Sequence, residues 1–185
     1  TLNWEYATYS LADNGFLVQI LAITGGLWLL MPSGWPLRWV GLLLFLPALF
    51  NQPTGPGEGE VKLTIFDVGQ GLAIMVQTAQ HTLLYDTGDK YSQHFDMANQ
   101  VILPFARVNR FSSLDKVIIC HGDSDHAGAI NELLSNLKTV ELFSGEPERI
   151  RLKQQQANIR IKPCDQQLHW RWDKVSFNIL SPDRN

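Results

Sequence analysis

Val117-Ile118-Ile119-Cys120-His121-Gly122-Asp123-Ser124-Asp125-His126 sets a β-branched apolar run directly before four candidate metal ligands within six residues. The run Asp115–Cys120 is short and apolar, as a buried strand is, and Gly122, Ser124 and Gly128 supply the small and polar residues of a loop. Beyond them, Ile130, Leu133, Leu134 and Leu137 recur at the spacing of a helix with one buried face. The stretch therefore predicts a strand, a ligand loop and a helix, in that order.

Two imidazoles and two carboxylates packed this closely repel or stay heavily hydrated unless a cation shares them. Neutral histidine with carboxylate suits a divalent ion such as Zn, Mn or Fe. The competing reading is structural: Asp123 and Ser124 cap the following helix, and His121 and His126 are ordinary loop histidines.

What surrounds the loop favours the metal. Val61–Ile65 reads as a strand that leads into Phe66-Asp67-Val68-Gly69-Gln70-Gly71, and Leu83-Leu84-Tyr85-Asp86-Thr87-Gly88 closes a second short strand. With Val101-Ile102-Leu103-Pro104-Phe105 and the ligand loop, this order resembles the metallo-β-lactamase superfamily. Within it, the FDVGQG and LLYDTG phrases resemble most closely the extracytoplasmic domain of the ComEC family of DNA-uptake proteins.

The resemblance implies an α+β fold, an αββα sandwich of which residues 61–185 form the N-terminal part, with a metal centre at one edge. The wider superfamily carries His-x-His-x-Asp-His, and here Asp123 stands at the second position. Carried over by position, His121 and Asp123 serve a first metal, while Asp125 and His126 serve a second. The implied cofactor is a pair of divalent ions, Mn or Zn, and no nucleotide cofactor is expected. The carboxylate at 123 moves the preference toward the harder ions. The chemistry implied is hydrolysis by a metal-bound hydroxide that Asp125 orients. Asp67 and Asp86 either accept hydrogen bonds from the ligand imidazoles or simply form turns before Gly69 and Gly88.

Phe16–Met31 and Trp35–Phe50 are almost wholly apolar, with Arg38 the one charged residue between them. They are expected to form a transmembrane helical hairpin, at about 16–31 and 35–50, turned at Pro32–Pro36. Residues 1–50 then read as the end of a polytopic membrane region, and residues 51–60, rich in Pro and Gly, as a linker. Arg38 in the turn places the turn on the cytoplasmic side and residues 61–185 outside the cytoplasm; the family resemblance implies a multi-pass protein of the bacterial inner membrane. The chain is expected to be a fragment of a longer protein, its remaining ligands lying past Asn185.

Charge limits the nucleic-acid reading. From Val61 onward, 14 basic and 14 acidic residues balance, so no global attraction to DNA follows. Arg149, Arg151, Lys153, Arg160 and Lys162 form a local basic stretch that reads first as a solvated face and second as a phosphate track. His169 is read as a residue of a strand pair spanning 168–180, and His81 and His94 as surface residues. Whether Cys120 and Cys164 pair is left open.

The expected partners are DNA, the membrane and other components of the uptake apparatus. The expected activity is hydrolysis of the DNA strand that is not imported. Two alternatives stand beside it: a lactonase- or thioesterase-type hydrolase, and a DNA-handling module without turnover.

Overall fold

Parallel strands buried on both faces read as continuous apolar runs, and the centre of this chain is built that way. The computed structural model describes residues 16–32, 34, 37–50, 55–92, 95–153 and 159–181. The chain divides between Thr54 and Gly55 into two compact units.

The first unit contains α1 (Phe16–Leu29) and α2 (Val40–Phe50), which carries Pro47 inside it. Both fall within the segments expected to span a membrane, but neither is long and apolar enough to do so among the described residues. At about 1.5 Å per residue, helices of 14 and 11 residues reach roughly 21 and 17 Å, short of a hydrocarbon core of about 30 Å.

In the second unit, a six-stranded sheet has the order β1 (Lys62–Ile65), β2 (Ile74–Gln77), β3 (Thr82–Tyr85), β4 (Ser113–Ile119), β5 (Lys138–Ser144) and β6 (Ile161–Pro163). The first three strands pair antiparallel and the last four parallel. The helical crossovers between the parallel strands lie on one face. A π-helical turn, Ala98–Ile102, runs into α3 (Leu103–Val108) between β3 and β4. Next come α4 (Ser124–Ala127) and α5 (Ile130–Asn136), between β4 and β5, and α6 (Pro147–Lys153), between β5 and β6.

Side-chain alternation divides the core in two. Met75, Leu84, Val117, Ile119 and Leu142 pack with Ile102, Ile130, Leu133 and Ile150 on the helical side. Leu83, Ile118, Phe143 and Cys164 point the other way. There they meet Trp170 and Trp172 of a hairpin, β7 (His169–Trp172) and β8 (Val175–Asn178), which forms a separate two-stranded sheet. Lys116, nearly buried between the layers, lies over the rings of Phe143, Trp170 and Trp172 and pairs with Glu141.

The hairpin is fastened at its tip. Asp173 and Lys174 both take positive φ (47° and 69°), the conformation of a two-residue turn whose twist matches its strands. The Asp173 carboxylate accepts from Thr78 Oγ1 at 2.6 Å and the Gln80 amide at 2.8 Å, and lies 3.1 Å from His81 Nδ1. Its carbonyl accepts from the Gly59 amide at 2.8 Å. Residues 55–60, the second half of the expected linker, thus belong to this unit, while residues 51–54 lie outside the described residues. His81 also stacks on Trp172, and His169 sits exposed on β7 as expected. His94 is outside the described residues.

Candidate metal centre

The register lines up the carboxyl ends of the parallel strands: Tyr85 sits opposite Ile118, Ile119 opposite Ser144, and Ser144 opposite Pro163. The residues that follow, Asp86, Cys120, Gly145 and Cys164, therefore emerge side by side. Three bonds continue the ladder there: Asp86 N to Ile118 O, Gly145 N to Ile119 O and Cys164 N to Ser144 O, at 2.8, 3.1 and 2.8 Å.

Asp86 is fully buried and takes a positive φ of 56°, which few residues other than glycine adopt. That backbone turns its carboxylate across to the next strand. Oδ1 accepts the Cys120 amide at 2.8 Å, and Oδ2 lies 2.7 Å from His126 Nδ1. Burial pushes the Asp86 carboxyl above the usual range, and the bonds from His126 and Cys120 pull it part of the way back. With Nδ1 given to Asp86, the ring nitrogen left for a ligand is Nε2, and it faces Asp125 Oδ2 at 3.4 Å. The His121 and His126 rings lie 4.1 Å apart between centroids.

The loop is held from below by backbone. The His126 carbonyl accepts from Thr87 N and Thr87 Oγ1 at 2.8 and 3.0 Å, and the Asp125 carbonyl accepts from Leu72 N at 3.2 Å. This explains Gly71 in the FDVGQG phrase. It takes φ of 135°, and a Cβ placed there would stand 2.4 Å from the Asp125 oxygen.

Of the residues expected from sequence, His121 and His126 lie ring against ring, and Asp125 Oδ2 lies 3.4 Å from His126 Nε2. Asp123 lies beside them, its Oδ2 3.4 Å from His121 Nδ1 and its Oδ1 2.7 Å from Arg149 Nη2. It occupies the N-cap position of α4 but makes no side-chain capping bond there. Of the two readings given for Asp86, the 2.7 Å contact with His126 Nδ1 matches imidazole support. Asp67 matches the other: it is exposed and accepts from the Gly69 amide at 3.3 Å, which is turn formation.

Cys120, which sequence reasoning assigned only to packing, lies with His121 and His126 so that one donor atom of each falls within 4.8 Å of the others. Its sulfur, however, approaches His126 on the Nδ1 side, at 3.3 Å, where Asp86 already binds. Burial and the Asp86 charge push the thiol up to about 12. Both cysteines are free thiols. Among the described residues the one group with three donor atoms this close is thus Cys120, His121 and His126, with Asp125 and Asp123 each 3.4 Å from one imidazole nitrogen.

Beside the donors opens a cleft of about 660 Å³ lined by Tyr85, Cys120, His121, Glu146, Cys164 and Asn178. Burial pushes the Tyr85 hydroxyl up to about 12, leaving it neutral.

Residues 66–156 match the metallo-β-lactamase superfamily. The chain is 32% identical over 163 residues to "Competence protein ComA" of Neisseria gonorrhoeae, an alignment covering 88% of the chain and 21% of that protein. It is 36% identical over 141 residues to "Recombination protein 2" of Haemophilus influenzae, covering 76% and 16%. It is 29% identical over 154 residues to "ComE operon protein 3" of Bacillus subtilis, covering 73% and 20%.

The chain is a ComEC-type protein.

It spans about a fifth of the length of these curated relatives. Its second unit has the metallo-β-lactamase-like α/β fold, and the superfamily implies a divalent metal. In this ComEC-type domain the donors stand at the strand ends, and Arg149 and Glu146 enter the site from α6 and the turn before it. Sequence reasoning placed Arg149 only in a basic stretch. Arg149, Arg151 and Lys162 are all paired with carboxylates, as on a solvated face, and the Lys153 side chain lies outside the described residues.

Proposed function

We propose that this ComEC-type protein acts in DNA uptake during natural transformation. Its metallo-β-lactamase-like domain would hydrolyse phosphodiester bonds of the strand that is not imported. The observation that carries the reading is the buried Asp86 holding His126 Nδ1, which leaves Nε2 next to Asp125, while His121, whose ring lies against that of His126, lines a cleft. The names of the relatives, with competence in one and recombination in another, point to DNA as the substrate class.

His121, Asp123, Asp125 and His126 would hold one or two divalent ions, Mn or Zn. Such ions supply an activated water and stabilise charge on phosphoryl oxygens. Asp125 orients the attacking water, Asp86 keeps the His126 proton on Nδ1, and the cleft receives the phosphodiester. With a balanced formal charge after Val61, the domain attracts DNA only locally.

The domain is further proposed to lie outside the cytoplasm, tethered to the inner membrane by residues 16–50. Supporting this are the exposed Phe16, Leu17, Leu30, Trp39 and Leu43, more apolar surface than a water-facing helix pair tolerates.

The test is metal content and plasmid nicking by the full-length gene product, beside a His121→Ala, Asp125→Ala double variant. Bound Mn or Zn with nicking lost in the variant supports the reading. Bound metal with ester hydrolysis in place of nicking would move it to a lactonase- or thioesterase-type enzyme. Neither metal nor cleavage would leave a DNA-handling module.

A further inference from the structure

Asp123 lies between two partners of different kinds. Its Oδ1 accepts from Arg149 Nη2 at 2.7 Å, and its Oδ2 lies 3.4 Å from His121 Nδ1. The other arm of the guanidinium, Nη1, donates to Glu146 Oε2 at 2.8 Å, and the same oxygen accepts the Gly122 amide, also at 2.8 Å. Gly122 lets α6 come this close, since a Cβ there would stand 2.7 Å from Arg149 Cβ. The Gly122 amide and the guanidinium hold Glu146 below the usual carboxylate range, while Asp123 and Glu146 hold Arg149 above its own.

Exposed ion pairs add little stability, so stability alone is a weak reason for this arrangement. Two residues on, Arg151 pairs locally with Glu148 on the same helix. Arg149 instead reaches across 26 residues to the ligand loop.

We propose that Arg149 is a positioning residue that sets metal selectivity: by binding Asp123 Oδ1 and offsetting its charge, it leaves Oδ2 as a single, nearly neutral donor beside His121. The carboxylate at this position then behaves more like an imidazole, which brings the donor set back toward Zn²⁺. This rests on the reading of 121–126 as a metal loop. Freed of its guanidinium, Asp123 is a fully charged hard ligand, and hard ligands favour Mn²⁺ relative to Zn²⁺.

The experiment is competitive titration of Mn²⁺ against Zn²⁺ on the full chain, in the parent and in Arg149→Gln, Arg149→Lys, Asp123→Asn and the Arg149→Gln, Asp123→Asn double variant. The ratio of the two affinities cancels any uniform loss of folded protein. Arg149→Gln is expected to raise the preference for Mn²⁺ about tenfold, the lower end of what partners behind metal ligands control. Arg149→Lys, which keeps the charge, is expected to stay near the parent, and Arg149→Gln is expected to add nothing once Asp123 is Asn. An unchanged ratio in Arg149→Gln, an equal shift with and without the Asp123 carboxylate, or a tenfold shift in Arg149→Lys overturns the proposal. A parent chain that binds neither ion overturns the metal reading beneath it as well.

Discussion

Asp86 meets two demands with one side chain: it closes the backbone of the ligand loop through the Cys120 amide and fixes which nitrogen of His126 faces outward. Asparagine tolerates the same left-handed backbone and keeps an acceptor for the amide, but it presents an N–H to His126 and so reverses the ring's tautomer. Asp86→Asn is therefore expected to leave folding nearly intact and to weaken divalent metal binding by about 10- to 100-fold, read by calorimetric titration. Equal affinity in the two proteins would reduce Asp86 to a backbone support.

Asp173 offers a second residue-scale test, one that depends on pH. Bonds from Thr78, the Gln80 amide and His81 lower its carboxyl from an ordinary 3.8 to about 2. A carboxyl depressed by folding stabilises the native state above its unfolded value and loses that contribution as the pH falls through its folded one. The melting temperature of the parent should thus exceed that of Asp173→Asn near neutrality, and the gap should close between pH 4 and 2. A constant gap across that window would show that the bonds at the hairpin tip do not depend on ionisation.

At the scale of elements, the loop after β1 and the helix after β4 meet backbone to backbone at Gly71 and Asp125. Gly71→Ala combines a positive φ with a 2.4 Å clash against an oxygen that has no room to move. A loss of at least about 2 kcal/mol is expected in denaturant unfolding, together with weaker metal binding if Asp125, whose carbonyl is displaced, is a ligand as proposed. Substitution without cost would mean that the loop after β1 can withdraw independently of the site.

Elements with a periodic signal were legible in the sequence. The strand before His121 and the helix at 130–136 follow from apolar spacing, and the strand pair at 168–180 from two runs around Asp173-Lys174. β2 was not singled out, because Ile74–Gln77 lies close behind the glycine-rich loop and carries no turn signal of its own at its start. The four candidate ligands stand out because they fall within six residues. Arg149 and Glu146 were not, since a charge that crosses from one strand-end loop to another leaves no mark in local spacing. Asp67 and Asp86 occupy equivalent places, each two residues before a glycine, and only the pairing of β3 with β4 brings one of them to an imidazole.

For the whole molecule, the exposed apolar side chains of α1 and α2 carry a prediction about surroundings rather than fold. The full chain is expected to float with phospholipid vesicles in a density gradient, and a variant lacking residues 16–50 to remain at the bottom. Sedimentation of both would show that the helix pair buries its apolar surface in protein contacts instead.

The four parallel strands release the chain along a single edge, so beyond Tyr85 and Ile118 at the strand ends the sheet meets the cleft through the loops that follow, while the strands behind keep their register. A change of chemistry would then need no new architecture. Variation confined to residues 86–89, 120–128, 144–149 and 163–168 could retune what is bound or cut, with the interior beneath left to inheritance.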